Sequence, residues 1–297
     1  MLGVHTRSRS MAAARRRNRI LYHICVSVLS FGMLYPLLWM VGSSLKPNSE
    51  IFVTVTNLFP QTFTWENYRN GWKGFAGLNF GVFFGNSLWV ATVSTIGATL
   101  SAAIVAYGFA RLNFPGRKIW FVAMILTMML PSQVMMIPRF VLFNQMGWVG
   151  TFLPVTVPAF FGGAFDIFLV MQFIRGVPRD MDEAARIDGC GWYSIFSRIL
   201  LPMIVPALVT VAVLTFITSW GDFMGSLLYL NTPQKYTAAY ALKLFADAAF
   251  TDYGATFAMS VLSLIPILIL FFFFQKKAAV VSSVVQFSRI SSAPSWG

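Results

Sequence analysis

Residues 178–202, PRDMDEAARIDGCGWYSIFSRILLP, hold the densest set of chemically active side chains in the sequence. Asp180, Asp182, Glu183 and Asp188 lie there, in a chain with only 10 acidic residues among 297. They stand with Arg179, Arg186 and Arg198. No histidine or cysteine is spaced with them as a metal ligand set would require. Carboxylates at the start of a short polar helix can instead bind a cationic surface. Asp180 is the expected N-cap, and Glu183 three residues on completes a box-like pairing. Asp182 and Glu183 fall in the first turn, where the helix dipole favours negative charge. Ala184 and Ala185 favour helix and let another surface come close. Gly189 or Gly191 can take the left-handed conformation that ends the helix. A second helix should begin near Trp192, with Ile195, Phe196, Ile199 and Leu200 on one apolar face. Pro202 should end it.

Asp166 is the second residue whose placement calls for chemistry. It stands in GGAFDIFLV, in the middle of an apolar run. An ionisable group at membrane depth is a functional residue by default. It could line a solute path, bond a neighbouring helix, or carry a proton in an ion-coupled carrier.

The elements that must position these residues are membrane helices. The chain is 57% hydrophobic and 11% charged, far below the roughly one-quarter charged residues of soluble domains. Six runs reach spanning length: residues 20–41, 80–110, 119–137, 151–174, 203–220 and 255–274. The expected fold is therefore an all-α membrane protein with six transmembrane helices. The divisions are a basic N-terminus (1–19), a transmembrane region (20–277) containing the polar segment 178–202, and a Ser-rich tail (278–297) expected to be mobile. Small residues in the second span, Gly97, Ala98, Ser101, Ala102, Ala103 and Ala106, suit close helix packing. Residues 42–79 and 221–254 read as loops. The leading basic stretch is not a cleavable signal, because the apolar run after it is too long.

The net charge of +12 belongs to membrane topology. Nucleic-acid binding would need a basic face on a soluble domain, and the sequence has none. With six spans, 16 of the 22 lysines and arginines fall on the side of the termini, the 111–118 turn and segment 178–202. The positive-inside rule makes that side cytoplasmic. Cys25 and Cys190 then lie in different environments, and no disulfide is expected. His5 and His23 read as incidental. No GxxxxGK[ST] loop is present, so energy for active transport must come from another polypeptide or an ion gradient.

Segment 178–202 also carries a resemblance. Glu183-Ala184-Ala185, then Gly189, then Ile199-x-Leu201-Pro202 resembles the EAA loop of ABC importer permeases at every fixed position of that pattern. The longer form EAARIDG…IFSRILLP is similar to the carbohydrate-uptake, maltose-type branch. Further segments resemble the same family: Asn86-Ser87-Leu88 in span two, the turn AYGFAR…FPGR from Ala106 to Arg117, and Met129-Leu130-Pro131 with Gln133 and Pro138. Trp220 and Phe223 resemble its WNxF segment, with Gly221 in place of Asn. The Val- and Ser-rich tail departs from the family's Gly-rich ending.

The resemblance implies a type I ABC importer permease fold in the bacterial inner membrane, with both termini cytoplasmic. It implies a second permease subunit, two ATPase subunits, an extracytoplasmic solute-binding protein and a sugar or oligosaccharide substrate. ATP and Mg would be bound by the partner ATPase; the chain itself would need no cofactor and catalyse no covalent reaction. Glu183, Ala184, Ala185, Asp188, Gly189, Ile199, Leu201 and Pro202 would form the coupling element seated on the ATPase. ATP hydrolysis would tilt it and switch the pore between two states. Gln133, Asn144 and Asp166 are candidates for the solute path. Tyr229, Asn231, Lys235 and Tyr236 are candidates for contact with the binding protein. Two other classes stay open on sequence alone: an ion-coupled secondary carrier using Asp166, and a membrane scaffold that transports nothing.

Overall fold

The structure, a computed structural model, describes residues 3–53, 55–248 and 252–291. They are helical, with one isolated β-bridge between Phe75 and Leu78. We number the principal helices α1 (Gly3–Ser43), α2 (Phe80–Arg111), α3 (Arg117–Met128), α4 (Met136–Gln145), α5 (Ala164–Arg175), α6 (Asp180–Ile187), α7 (Leu201–Trp220), α8 (Phe223–Tyr229), α9 (Ala238–Ala248) and α10 (Tyr253–Ser291). The chain divides into two compact units, Met1–Gly71 with Ala249–Val261 and Trp72–Ala248 with Leu262–Gly297.

In the first unit, polar side chains hold the described residues of 44–64 to one another. The buried Asn67 amide donates to the carbonyls of Ser44 and Lys46, at 2.8 and 2.7 Å. Lys46 is fully buried and its Nζ donates to the Asn57 carbonyl at 2.6 Å. Glu50 accepts from the amides of Gln61 and Thr62. Such pairing is what lets a lysine be buried. What the sequence presents as a loop is thus an ordered segment.

In the second unit α2 is the central helix, packed against α7 and α5. Its small residues Gly97, Ala98, Ser101, Ala102, Ala103 and Ala106 are all buried, as close packing requires. Ser94 and Ser101 donate to the carbonyls of Val155 and Ala159, each at 3.1 Å. Those acceptors lie where the expected fourth span is not one α-helix. It runs as a short turn (Leu153–Thr156), a 3-10 segment (Val157–Phe161), a break at Gly162-Gly163 and then α5. Gly162 sits at φ +89°, which a side chain would resist. Irregular backbone at membrane depth survives where protein groups satisfy it, and the two serines do so here.

Among the described residues, five helical runs are long and apolar enough to cross a membrane: Arg17–Ser43, Phe80–Arg111, Leu153–Arg175, Trp192–Trp220 and Tyr253–Phe274. The sixth expected span, 119–137, differs. It is α3 and α4, joined by turns over 129–135 that contain Pro131. Twelve residues of α3 rise only about 18 Å, short of the roughly 30 Å hydrocarbon core. The stretch 221–254 also differs from a loop: α8, a 3-10 turn and α9 occupy it, with Leu230, Ala238 and Ala241 buried. The Asn86 amide donates to the carbonyls of Gln234 and Tyr236, at 2.8 and 3.0 Å. Ser87 accepts from the Ala238 amide at 2.7 Å, and Lys235 Nζ donates to the Gly150 carbonyl. At the C-terminal end, Lys276 and Lys277 end the apolar run but not the helix, because lysine itself favours helix. The expected mobile tail is helical to Ser291, and residues 292–297 lie outside the described residues.

Candidate functional site

Segment 178–202 forms the expected helix and turn, with two local corrections. α6 begins at Asp180, so Arg179 is the residue before the helix and no side chain caps it. Asp180 is therefore in the first turn with Asp182 and Glu183, where the dipole accounts for the acidic cluster without a capping box. Gly189, at φ +80°, ends α6. The Cys190 amide donates to the Ala185 carbonyl and the Gly189 amide to that of Arg186, at 2.9 and 3.0 Å. This paired closure is the Schellman motif. Gly191, the other candidate, has φ −74°.

The second correction concerns Pro202. The chain does not break there; Trp192–Trp220 is one helical run. A π-helical stretch at Ile195–Leu200 precedes Pro202, and the Leu201 amide reaches back to the Phe196 carbonyl. A proline near the start of a helical stretch costs little, and a π-turn absorbs its missing donor. Ile199 and Leu201 pack on the central core of this unit.

α6 has an inward and an outward face. Asp182 and Ala185 are buried, so the smallness of Ala185 serves packing within the chain. Met181, Glu183, Ala184, Ile187 and Asp188 are exposed, Ile187 at 87%. The inward face is tied to the end of α2. Oδ2 of Asp182 lies 2.8 Å from Arg111 Nε, with both side chains over nine-tenths buried. The N–H is not aimed along that line, so the attraction is Coulombic more than a hydrogen bond. Arg111 also donates to the Val177 carbonyl at 2.7 Å. The far end of α6 is held separately. The Arg186 guanidinium lies 3.7 Å over the Trp192 ring, and the Tyr107 hydroxyl donates to the Trp192 carbonyl at 3.0 Å. The sequence shows each of these residues; that Arg111 pairs with a residue 71 positions on is visible only in the fold.

The solute-path candidates do not converge. Gln133 lines a cavity of about 330 Å³ together with Arg139, Asp222 and Tyr229. Asn144 is exposed on α4 and is not among the lining residues. Asp166 is half-buried in the first turn of α5, at the helix break, not mid-helix. Its carboxylate folds beside Gly163, whose lack of a side chain makes the space. Asp222, absent from the sequence candidates, caps α8 by accepting from the Gly225 amide at 2.9 Å. Burial pushes its carboxyl above the usual range, and the Gly225 amide pulls it back. An Asp two residues after an apolar run and three before a Gly is the sequence signal for it.

Of the outer candidates, Tyr229 is buried, set against Phe140 and Phe143. Its side chain faces the cavity that Gln133 also lines. Asn231 is exposed, while Lys235 and Tyr236 are half-buried.

Long apolar helices among the described residues, with a short polar helix exposed on one face, are the features of a multi-pass membrane component. Residues 98–279 match the family described as the binding-protein-dependent transport system inner membrane component, and the chain belongs to it. Its curated relatives include the arabinooligosaccharides transport system permease protein AraQ of Halalkalibacterium halodurans, 32% identical over 82% of this chain and 86% of that protein. They also include the diacetylchitobiose uptake system permease protein NgcG of Streptomyces coelicolor, 32% identical over 88% and 86%. The trehalose transport system permease protein SugB of Mycobacterium tuberculosis is 32% identical over 80% and 85%. A solved bacterial ABC transporter involved in import of the acidic polysaccharide alginate superposes with a TM-score of 0.75. It is 21% identical and covers 89% of this chain and 97% of that one, and it shares the fold.

Proposed function

We propose that this chain is the pore-forming, non-catalytic permease subunit of an ATP-driven importer for a sugar or oligosaccharide. The relatives are named for arabinooligosaccharides, diacetylchitobiose and trehalose, which supports a carbohydrate. One observation carries the coupling role: α6 is anchored by its inner face through Asp182 and Ala185 while Glu183, Ala184, Ile187 and Asp188 stay uncovered. The apolar Ile187, 87% exposed beside Glu183, Ala184 and Asp188, is what a partner surface would cover. The ATPase would bind there, with ATP and Mg held in its own site, and Glu183 would meet a basic residue of its cleft. A second permease would complete the pore, and an extracytoplasmic binding protein would deliver the solute to the opposite face, near Asn231, Lys235 and Tyr236. Both termini would be cytoplasmic.

The test is a mild-detergent pull-down of the tagged chain, followed by uptake in proteoliposomes. A second permease and an ATPase should co-purify, and Glu183→Arg should release the ATPase. Glu183→Ala should weaken ATP-driven uptake more than Asp166→Asn does. Uptake by the chain alone without ATP, abolished by Asp166→Asn, would overturn the proposal in favour of an ion-coupled carrier.

A further inference from the structure

A cavity of about 740 Å³ opens at the turn between α2 and α3, and no residue of α6 lines it. Its polar lining is cationic: Arg117, Lys118 and Arg175. No carboxylate lines it. Arg117 is aimed by a hydrogen bond to Asn113 Oδ1 at 3.1 Å, and the Arg175 guanidinium rests 5.6 Å above the Phe121 ring. The rest of the wall is apolar and includes Phe109, Phe114 and Ile119. A second cavity, about 420 Å³, shares Phe109 and Phe114 with the first. It continues along α3 past Trp120, Met124 and Thr127 to Ala164 at the start of α5. Seven residues from Trp120 to Thr127 advance about 10 Å along the helix. A cationic mouth thus leads into an apolar groove running along the spans.

We propose that this is a binding site for an anionic glycerophospholipid. The phosphate sits among Arg117, Lys118 and Arg175, and an acyl chain lies in the groove between α2, α3 and α5. Basic pockets at the ends of membrane helices suit anionic headgroups, and the first turn of α3 adds the positive end of its dipole. A free inorganic anion would use the mouth and leave the groove empty. An acidic segment of a soluble partner would have no use for an apolar groove that runs toward the bilayer interior. The site is separate from the coupling face, so lipid binding and import can fail independently.

The complex that co-purifies with this chain is equilibrated with vesicles of phosphatidylcholine and phosphatidylglycerol in equal parts. It is then repurified, and the retained lipid is identified by mass spectrometry. The wild type should retain phosphatidylglycerol preferentially. Each cation removed should weaken that preference about five-fold, and Arg117→Gln/Lys118→Gln/Arg175→Gln should abolish it. Ala123→Trp, which fills the groove and keeps the cations, should also lower phosphatidylglycerol retention. If the triple variant does not assemble, Lys118→Gln alone reads the charge dependence, because Lys118 is exposed at the mouth. Unchanged preference in the charge variants would overturn the proposal. So would equal loss of both lipids, or displacement of phosphatidylglycerol by inorganic phosphate alone; the last would mark a simple anion site.

Discussion

At the residue scale, α6 is defined by which carboxylates are spent inward and which are kept outward. Asp182 and Glu183 are neighbours with the same charge, yet one is buried against Arg111 and the other is exposed. Removing one member of a buried pair is costly, because the other charge keeps its desolvation without its partner. Asp182→Asn should therefore destabilise the chain by about 3 kcal/mol, read as a lower melting temperature of the purified complex. Glu183→Gln should leave it unchanged. Replacing both Arg111 and Asp182 with apolar residues of similar size should restore much of the loss, since no lone charge remains. The sequence shows that both acids sit in a first turn. It does not show the division between them, because the partner Arg111 is far away in the chain.

At the element scale, the turn after α6 is tightly specified and can be tested alone. Gly189 holds a left-handed conformation, which costs a residue with a Cβ about 1–2 kcal/mol. Gly189→Val should reorient Cys190 and Trp192 and loosen the stacking on Arg186. The expected outcome is weaker ATPase retention in the pull-down, with lipid retention unaffected. This turn was legible because glycine has a local conformational reason to be there. The interruptions of the spans were less so. Pro36, Pro206 and Pro266 all lie inside continuous helices, whereas the turn containing Pro131 separates α3 from α4. Hydropathy weighs these prolines alike, since it measures transfer from water and not the backbone path. The fourth span hid its break for the same reason: Gly162-Gly163 carries no charge, so the apolar run reads as unbroken across it. Residues 221–248 look like loop in the sequence because their burial comes from long-range bonds, such as Asn86 to residues 234 and 236. The polar Asn86 and Ser87 inside an apolar span were the visible half of that arrangement.

At the scale of the whole molecule, sidedness can be checked by labelling. In a background with Cys25→Ser and Cys190→Ser, Asn231→Cys should react with an impermeant thiol reagent applied outside. Asn113→Cys should react only after the membrane is opened. The broken stretch 117–145 makes this more than a formality, because neither α3 nor α4 is long enough to cross by itself. The side-chain contacts already impose a parity on the path. Arg111 touches Val177 and Asp182, so the end of α2 and the start of α6 share one side of the bilayer. Lys235 reaches Gly150 and Asn86 reaches residues 234 and 236, so those three points share one side as well. α2 carries the chain from Asn86 to Arg111, and Leu153–Arg175 carries it from Gly150 to Val177; each is long enough to cross. Between Arg111 and Gly150 the chain must therefore change sides an odd number of times. The two short helices and the turn at Pro131 together fit that crossing, and the two hydrogen-bonded groups at its ends act as a count of membrane passages that is independent of hydropathy and agrees with the span expected at 119–137.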